Sequence, residues 1–248
     1  NIQFQMKSTT VNNIFSDIKK IYKKSEGYPH EKEDYIFGWI KDKRLNFFYT
    51  DAHFLYRWKS EEAEIFDGVN IKFVLHHFLK EYLAEVGKEI IIFNIFQYKE
   101  FEKNTHYQVE YVYVDIESDD GIKIFCQDYS SKIPDFFRVL EGINLDRTGK
   151  LYIPSNNAIE KIYYGSNGYK IVYRGDLEKV ETDERIELDL EKNVIFDYKY
   201  LKRVKDVLGE EVRVRYDKIS SSTRAFYFDN GITDKKSFLV MPMKEYGN

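Results

Sequence analysis

Cysteine is nearly absent from this chain: Cys126 is the only one in 248 residues. No intramolecular disulfide can form, which fits a reducing compartment. No apolar run approaches the ~18 residues of a membrane-spanning helix, and the N-terminus lacks a signal-peptide pattern, so the expectation is a soluble cytoplasmic protein. The phosphate-binding glycine loop, the Cys-x-x-Cys pair and the dinucleotide fingerprint are also missing. Excess positive charge is missing too. With 38 Lys+Arg against 42 Asp+Glu, a formal charge of −4 and a pI near 5.9, a generally basic nucleic-acid coat is excluded. A local basic surface is not, because a positive wall needs only a few well-placed side chains.

Signs of catalysis are thin. Asp51 and His53 stand two apart in an apolar run read as a strand, so they would share a face as an acid–base or metal pair. No third ligand or nucleophile can be named beside them. His76 and His77 are adjacent in a stretch read as helix, about 100° apart, which is the wrong spacing for two ligands on one face. Asp115, Glu117 and Asp119 alternate as the acidic face of a metal-dependent nuclease would, yet they run into Asp119-Asp120-Gly121, a hairpin turn, which makes a solvated edge the better reading. The nuclease reading stays open to a metal-dependent cleavage assay. Non-enzymatic function is favoured, and neither a cofactor nor a metal is implied.

What is present is a β-rich, aromatic chain with two copies of one pattern. Hydrophobic residues make up 43% and aromatics 17%, enough for two ordinary domains with half-buried sheet faces. Val69 to Leu83 reads as a short strand and helix, followed by Gly87 and the strand Glu89 to Phe93; Val194 to Leu208 reads the same way, followed by Gly209 and the strand Glu211 to Arg215. Strands are expected at Tyr35 to Ile40 and Leu45 to Trp58 around a Lys-Asp-Lys-Arg turn, at Ile159 to Tyr164 and Tyr169 to Tyr173 around Gly165-Ser166-Asn167-Gly168, and at Ala225 to Phe228 before Asp229-Asn230-Gly231. The first unit adds an opening strand, Ile2 to Met6, and an amphipathic helix from about Val11 to Tyr22. Where the second unit should repeat that helix, Arg147 to Asn157 is punctuated by Gly149 and Pro154, so the helix is expected to be shortened or missing.

The C-terminal run Ser237-Phe238-Leu239-Val240-Met241-Pro242-Met243-Lys244 is an apolar strand stopped by a proline, which leaves two flexible thioethers at the sheet margin, suited to an adaptable binding surface. Two further segments, Leu45 to Leu55 with Thr50-Asp51-Ala52-His53-Phe54-Leu55, and Lys132 to Leu140 with Pro134-Asp135-Phe136-Phe137-Arg138-Val139, precede it. In order and spacing the three resemble the Thr-Asp-Gly-His-Arg-Leu, Tyr/Phe-Pro-Asp-Tyr-Arg-Arg-Val and Val-Met-Pro-Met-Arg-Leu segments of the bacterial replicative sliding clamp, the beta subunit of DNA polymerase III. The resemblance spans nearly the whole chain and looks like that family's central and C-terminal domains. Ala52 stands for its glycine, Phe54 and Phe137 for arginines, and Lys244-Glu245-Tyr246-Gly247-Asn248 alters the tail.

The resemblance implies an α+β protein with the DNA-clamp fold: two tandem clamp-type domains, residues 1–140 and 141–248, the second with a reduced first helix. It implies a hydrophobic cleft that takes linear motifs of polymerases and clamp loaders, lined here by Thr50, His53, Phe54, Leu55, Pro134, Val139, Tyr200, Leu239, Val240, Met241, Pro242 and Met243. Phe54 in place of arginine would add bulk and remove a positive donor. It also implies that Lys19, Lys20, Lys23 and Lys24 in the first unit, and Lys199, Lys202, Arg203 and Lys205 in the second, face double-stranded DNA without reading its sequence. The function so implied is that of a processivity factor that encircles duplex DNA; the alternative is a clamp-derived scaffold or regulator that binds peptides without encircling it. Clamp rings close from six such units, so two units per chain call for a homotrimer, with a monomer as the competing expectation because Arg147 to Asn157 lacks interface-building helix. The chain opens on Asn1 rather than methionine, which leaves room for upstream residues.

Overall fold

A computed structural model describes residues 2–22, 35–51, 53–60, 68–76, 90–101, 108–118, 123–129, 134–166, 168–175, 177–219, 224–233 and 235–244. The chain divides into two compact units, Asn1–Tyr49 with Trp58–Asp135, and Thr50–Arg57 with Phe136–Asn248. This differs from a single cut at 140/141: the short segment 50–57 packs with the second unit although it is flanked by the first in sequence.

The first unit opens with β1 (Ile2–Lys7) and α1 (Ser8–Ile21), followed by β2 (Tyr35–Lys41) and β3 (Arg44–Thr50). After β4 (Phe54–Lys59), whose opening residues belong to the second unit, come β5 (Ile71–His76), β6 (Ile90–Phe101), β7 (Gln108–Ser118) and β8 (Lys123–Tyr129). One antiparallel sheet runs β1-β6-β7-β8, and a second run is β5-β2-β3. Helix α1 starts earlier than its apolar spacing suggested, at Ser8, and buries Val11, Ile14, Phe15, Ile18 and Ile21, the stripe that a 3.6-residue period places on one face. Lys19 and Lys20 close it on the exposed side, favourably placed against the helix dipole. His76, expected on a helix, is instead the last residue of β5, while Lys23, Lys24, His77 and the rest of that expected helix lie outside the described residues. Between β2 and β3 the turn is made by Asp42 and Lys43 at φ 52° and 64°, a left-handed pair that matches the twist of a two-residue hairpin although neither is glycine. The core is aromatic: Phe4 stacks on Phe93 at 4.8 Å, and Phe47 meets Phe73 edge-on at 6.0 Å. Asp115 and Glu117 lie on β7 paired with β8, and the turn that would carry Asp119 is outside the described residues.

The second unit continues with α2 (Phe136–Glu141), β9 (Arg147–Tyr152), β10 (Ile159–Gly165), β11 (Gly168–Tyr173), β12 (Glu178–Thr182), β13 (Val194–Asp197), α3 (Tyr198–Leu208), β14 (Glu211–Tyr216), β15 (Phe226–Asp229) and β16 (Lys236–Val240). Its sheets run β12-β11-β10-β13 and β4-β16-β15-β14-β9. The helix expected to be shortened or missing at Arg147 to Asn157 is missing, and the reason is local. Residues 147–152 instead pair along β14, from Arg147↔Tyr216 to Tyr152↔Glu211. Gly149 passes so close to the Glu187 carbonyl that a Cβ there would lie 2.2 Å from its oxygen. Beyond the strand, the Pro154 carbonyl accepts the Tyr198 hydroxyl at 2.6 Å and the Asn156 N–H donates to the same hydroxyl at 3.3 Å. Helix α3 forms where the sequence placed it: Asp197 caps it by accepting the Lys199 N–H, and Gly209 at φ 101° ends it. The fold is α+β throughout, with Phe196, Phe226, Phe228 and Tyr216 interlocked at the centre of this unit.

Candidate functional site

The C-terminal strand behaves as its sequence requires. Ser237, Phe238, Leu239 and Val240 are buried in β16 and pair with β15, and the ladder stops before Pro242, which has no N–H to donate. The backbone is nevertheless held on both sides of the proline. The Met241 N–H donates to the His53 carbonyl at 3.2 Å and the Met243 N–H to the Ile195 carbonyl at 2.8 Å. Pro242 is buried, whereas Met241 and Met243 are 43% and 38% exposed. Two thioethers are thus presented to solvent from an anchored main chain.

Facing them is the segment that joins this unit from the middle of the first one. The continuous strand expected from Leu45 to Trp58 is broken at Asp51. Its carboxylate oxygen Oδ1 accepts the backbone N–H groups of His53, at 3.1 Å, and Phe54, at 3.3 Å, while the Thr50 hydroxyl donates to the Phe54 carbonyl at 2.7 Å. This is an Asx-type turn, in which a short acidic side chain replaces the next strand's backbone partner. Asp51 and His53 are therefore not an acid–base pair on one strand face. Among the described residues no group of three His, Cys, Asp or Glu side chains is arranged to hold a metal.

The other carboxylate oxygen of Asp51 pairs with Arg203 of α3. Arg203 was expected to face DNA; it is instead 7% exposed, with its guanidinium 4.6 Å from the Phe54 ring centre and 5.4 Å from that of Tyr200. The correction has a physical cause: a planar, weakly hydrated cation can stack on two rings while paired, which a lysine ammonium does poorly. The position of Phe54 thus keeps a positive group beside it, supplied from a helix distant in sequence. Tyr200 lies 5.7 Å from the exposed His53 ring and 6.0 Å from Phe54. Burial, and next the nearby Asp51 charge, raise its hydroxyl above the ordinary tyrosine range.

The remaining cations of α3 differ among themselves. Lys199 is exposed, pairs with Asp197 at 3.0 Å and reaches over the Tyr200 ring at 4.6 Å. Burial would lower its pKa, but the Asp197 hydrogen bond and charge prevail and raise it. Lys202 reaches Asn157 at 3.4 Å, and Lys205 donates to Ser155 at 2.5 Å, which in turn donates to Glu210 at 2.5 Å. The segment that replaced the first helix thus lies along the basic side of α3.

The other residues singled out by sequence fall into three places. Phe54, Leu55, Tyr200, Leu239 and Val240 are buried and Thr50 is half-buried, with Phe54 6.0 Å from Tyr200 and 6.3 Å from Phe238. Val139 is 49% exposed on α2, which is seated by buried Phe136 and Phe137 and by the Arg57 guanidinium 5.3 Å over Phe137. Pro134 belongs to the first unit. Asp51 and Arg203 are the members whose roles sequence reasoning missed. The signal available was an acidic residue interrupting an apolar run two positions before His53, a turn pattern rather than a catalytic one.

No family model and no curated protein matches the chain. Solved structures do. The DNA polymerase III beta subunit of Thermotoga maritima is 12% identical with a TM-score of 0.70, covering 99% of this chain and 66% of its own. That of Pseudomonas aeruginosa is 17% identical with a TM-score of 0.68, covering 99% and 66%. The Helicobacter pylori beta clamp, solved bound to a DNA ligase peptide, is 15% identical with a TM-score of 0.66, covering 98% and 66%. The chain spans about two thirds of the length of these proteins. No described helix is long and apolar enough to cross a membrane. With nearly every residue superposed on these structures, the chain has the fold of the bacterial sliding clamp, the DNA polymerase III beta subunit.

Proposed function

We propose that this chain is a cytoplasmic, non-enzymatic, clamp-like processivity factor that encircles duplex DNA and recruits partners through the surface around Met-Pro-Met. One observation supports the reading: two exposed methionines hang from a main chain held by the His53 and Ile195 carbonyls, and the His53 ring lies 5.7 Å from Tyr200, beside buried Phe54. Flexible thioethers and aromatic side chains suit Leu and Phe anchors of a short peptide, and polar groups among them can orient its backbone. The Helicobacter clamp of the same fold holds a ligase peptide, which supports peptide docking here, with polymerase and clamp-loader motifs as the partner class. A peptide carrying Gln-Leu-x-Leu-Phe is expected to bind at micromolar strength, about −8 kcal/mol. In Met241→Ala/Met243→Ala, titration calorimetry should show a loss of roughly 1–3 kcal/mol. Unchanged affinity in a folded double variant would remove the assignment.

The second reading, a scaffold that docks peptides without encircling DNA, is favoured by what has happened to the basic helix. Arg203 is buried in an ion pair, and Lys202 and Lys205 are engaged by Asn157 and Ser155. Fewer free cations then remain on α3 for phosphates. The two readings share the peptide surface and part over DNA and assembly.

A further inference from the structure

We infer that Met241 and Met243 are an oxidation site that switches peptide docking off, an inference that rests on the docking reading above. The chain has three methionines, and the fold treats them differently. Met6 is 6% exposed inside the first unit, whereas Met241 and Met243 are 43% and 38% exposed. Both exposed thioethers hang from a main chain held in place by hydrogen bonds. The Met241 N–H is held by the His53 carbonyl, the Met243 N–H by the Ile195 carbonyl, and the residue between them is the rigid, buried Pro242. Both residues are therefore within reach of a small dissolved oxidant, and both belong to the surface proposed above to receive a peptide.

The chemistry is a two-electron oxygen transfer. A sulfur lone pair attacks one oxygen of hydrogen peroxide, the O–O bond breaks, the thioether becomes a sulfoxide and the other oxygen leaves as water. A sulfoxide is polar and a strong acceptor. On a peptide-docking surface it would have to be stripped of water for an apolar anchor to enter, so docking is opposed twice, by lost apolar contact and by desolvation. The step is reversible: a methionine sulfoxide reductase returns the thioether, its thiols becoming a disulfide and the oxygen leaving as water.

Trypsin separates the sites, because Lys7 closes the fragment with Met6, while Lys236 and Lys244 bound the fragment Ser237–Lys244 that carries Met241 and Met243. The intact protein is treated with hydrogen peroxide, then with dithiothreitol to reverse oxidation at Cys126, and is split between mass analysis and titration with the Gln-Leu-x-Leu-Phe peptide. Expected are two added oxygens on Ser237–Lys244 before any on the Met6 fragment, and affinity at least roughly tenfold weaker, restored by the reductase. In Met241→Leu/Met243→Leu, peroxide should leave the variant's own untreated affinity unchanged, whatever its starting value. Oxidation of Met6 at an equal rate, full affinity in protein carrying both sulfoxides, or equal loss in the leucine variant overturns the switch. Failure of the untreated protein to bind at all overturns the docking reading and the switch with it.

Discussion

Asp51 is one side chain doing two jobs, and Arg203 depends on both. One carboxylate oxygen turns the chain by accepting the N–H groups of His53 and Phe54; the other takes the Arg203 charge. The guanidinium keeps its Nε without an acceptor, so its stability comes from the ion pair and from the Phe54 and Tyr200 rings. A buried pair is costly to break from one side, because the survivor is left charged and dry, and cheap to replace from both sides. Arg203→Met should therefore destabilise the second unit by about 3 kcal/mol, read from the urea midpoint, and Asp51→Asn/Arg203→Met should recover most of that loss, since asparagine can still accept the turn's N–H bonds. A double variant no more stable than the single one would show that the pair's charge is not what holds segment 50–57 in place.

At the scale of the element, α3 has two faces with separate tasks. Tyr200, Leu201, Arg203 and Val204 are buried, and Lys199 and Lys202 remain outward. If this helix meets DNA, it does so through those lysines, weakly, without sequence preference and with steep dependence on salt. Lys199→Glu/Lys202→Glu should weaken binding to linear duplex and reduce the slope of log affinity against log salt by roughly 1 per lysine, while leaving peptide affinity unchanged. Fluorescence anisotropy at several salt concentrations measures both. A slope identical to that of the unaltered chain would move any DNA-facing surface elsewhere and favour the scaffold reading. Arg203 is left out of the test because reversing a buried charge would unfold the site rather than probe it.

For the whole molecule the question is assembly. Strand β12 is one of the two edge strands of its sheet among the described residues; it carries Val180, and Leu177 directly precedes it, both largely exposed. An unpaired edge of this kind can continue into another copy, and a head-to-tail contact closes into a ring when its rotation sums to a full turn. If the chain encircles DNA as proposed, a six-unit ring would need three copies of its two units. Sedimentation equilibrium at micromolar concentration should give a mass near three times 29.8 kDa. A monomer would instead favour a chain that docks peptides without encircling DNA, in keeping with β9 standing where a repeat of the first unit's helix would fall.

Much of the architecture was written locally. The 3.6-residue spacing of Val11 to Ile21, the Gly209 stop, the Gly165 to Gly168 and Asp229 to Gly231 turns, and the proline that ends β16 all act over a few residues, so the sequence alone determined α1, α3, their neighbouring hairpins and the sheet margin with its two exposed methionines. Even the loss of the second unit's first helix was legible, because Gly149 and Pro154 cannot sit comfortably inside one. Long-range pairing was not. Only the tertiary structure decided that segment 50–57 joins the second unit, that residues 147–152 become a strand along β14, and that Arg203 is buried rather than turned to solvent. A basic residue on an amphipathic helix reads as surface until a carboxylate 152 positions away in sequence and two aromatic rings are brought against it, and that encounter belongs to the fold.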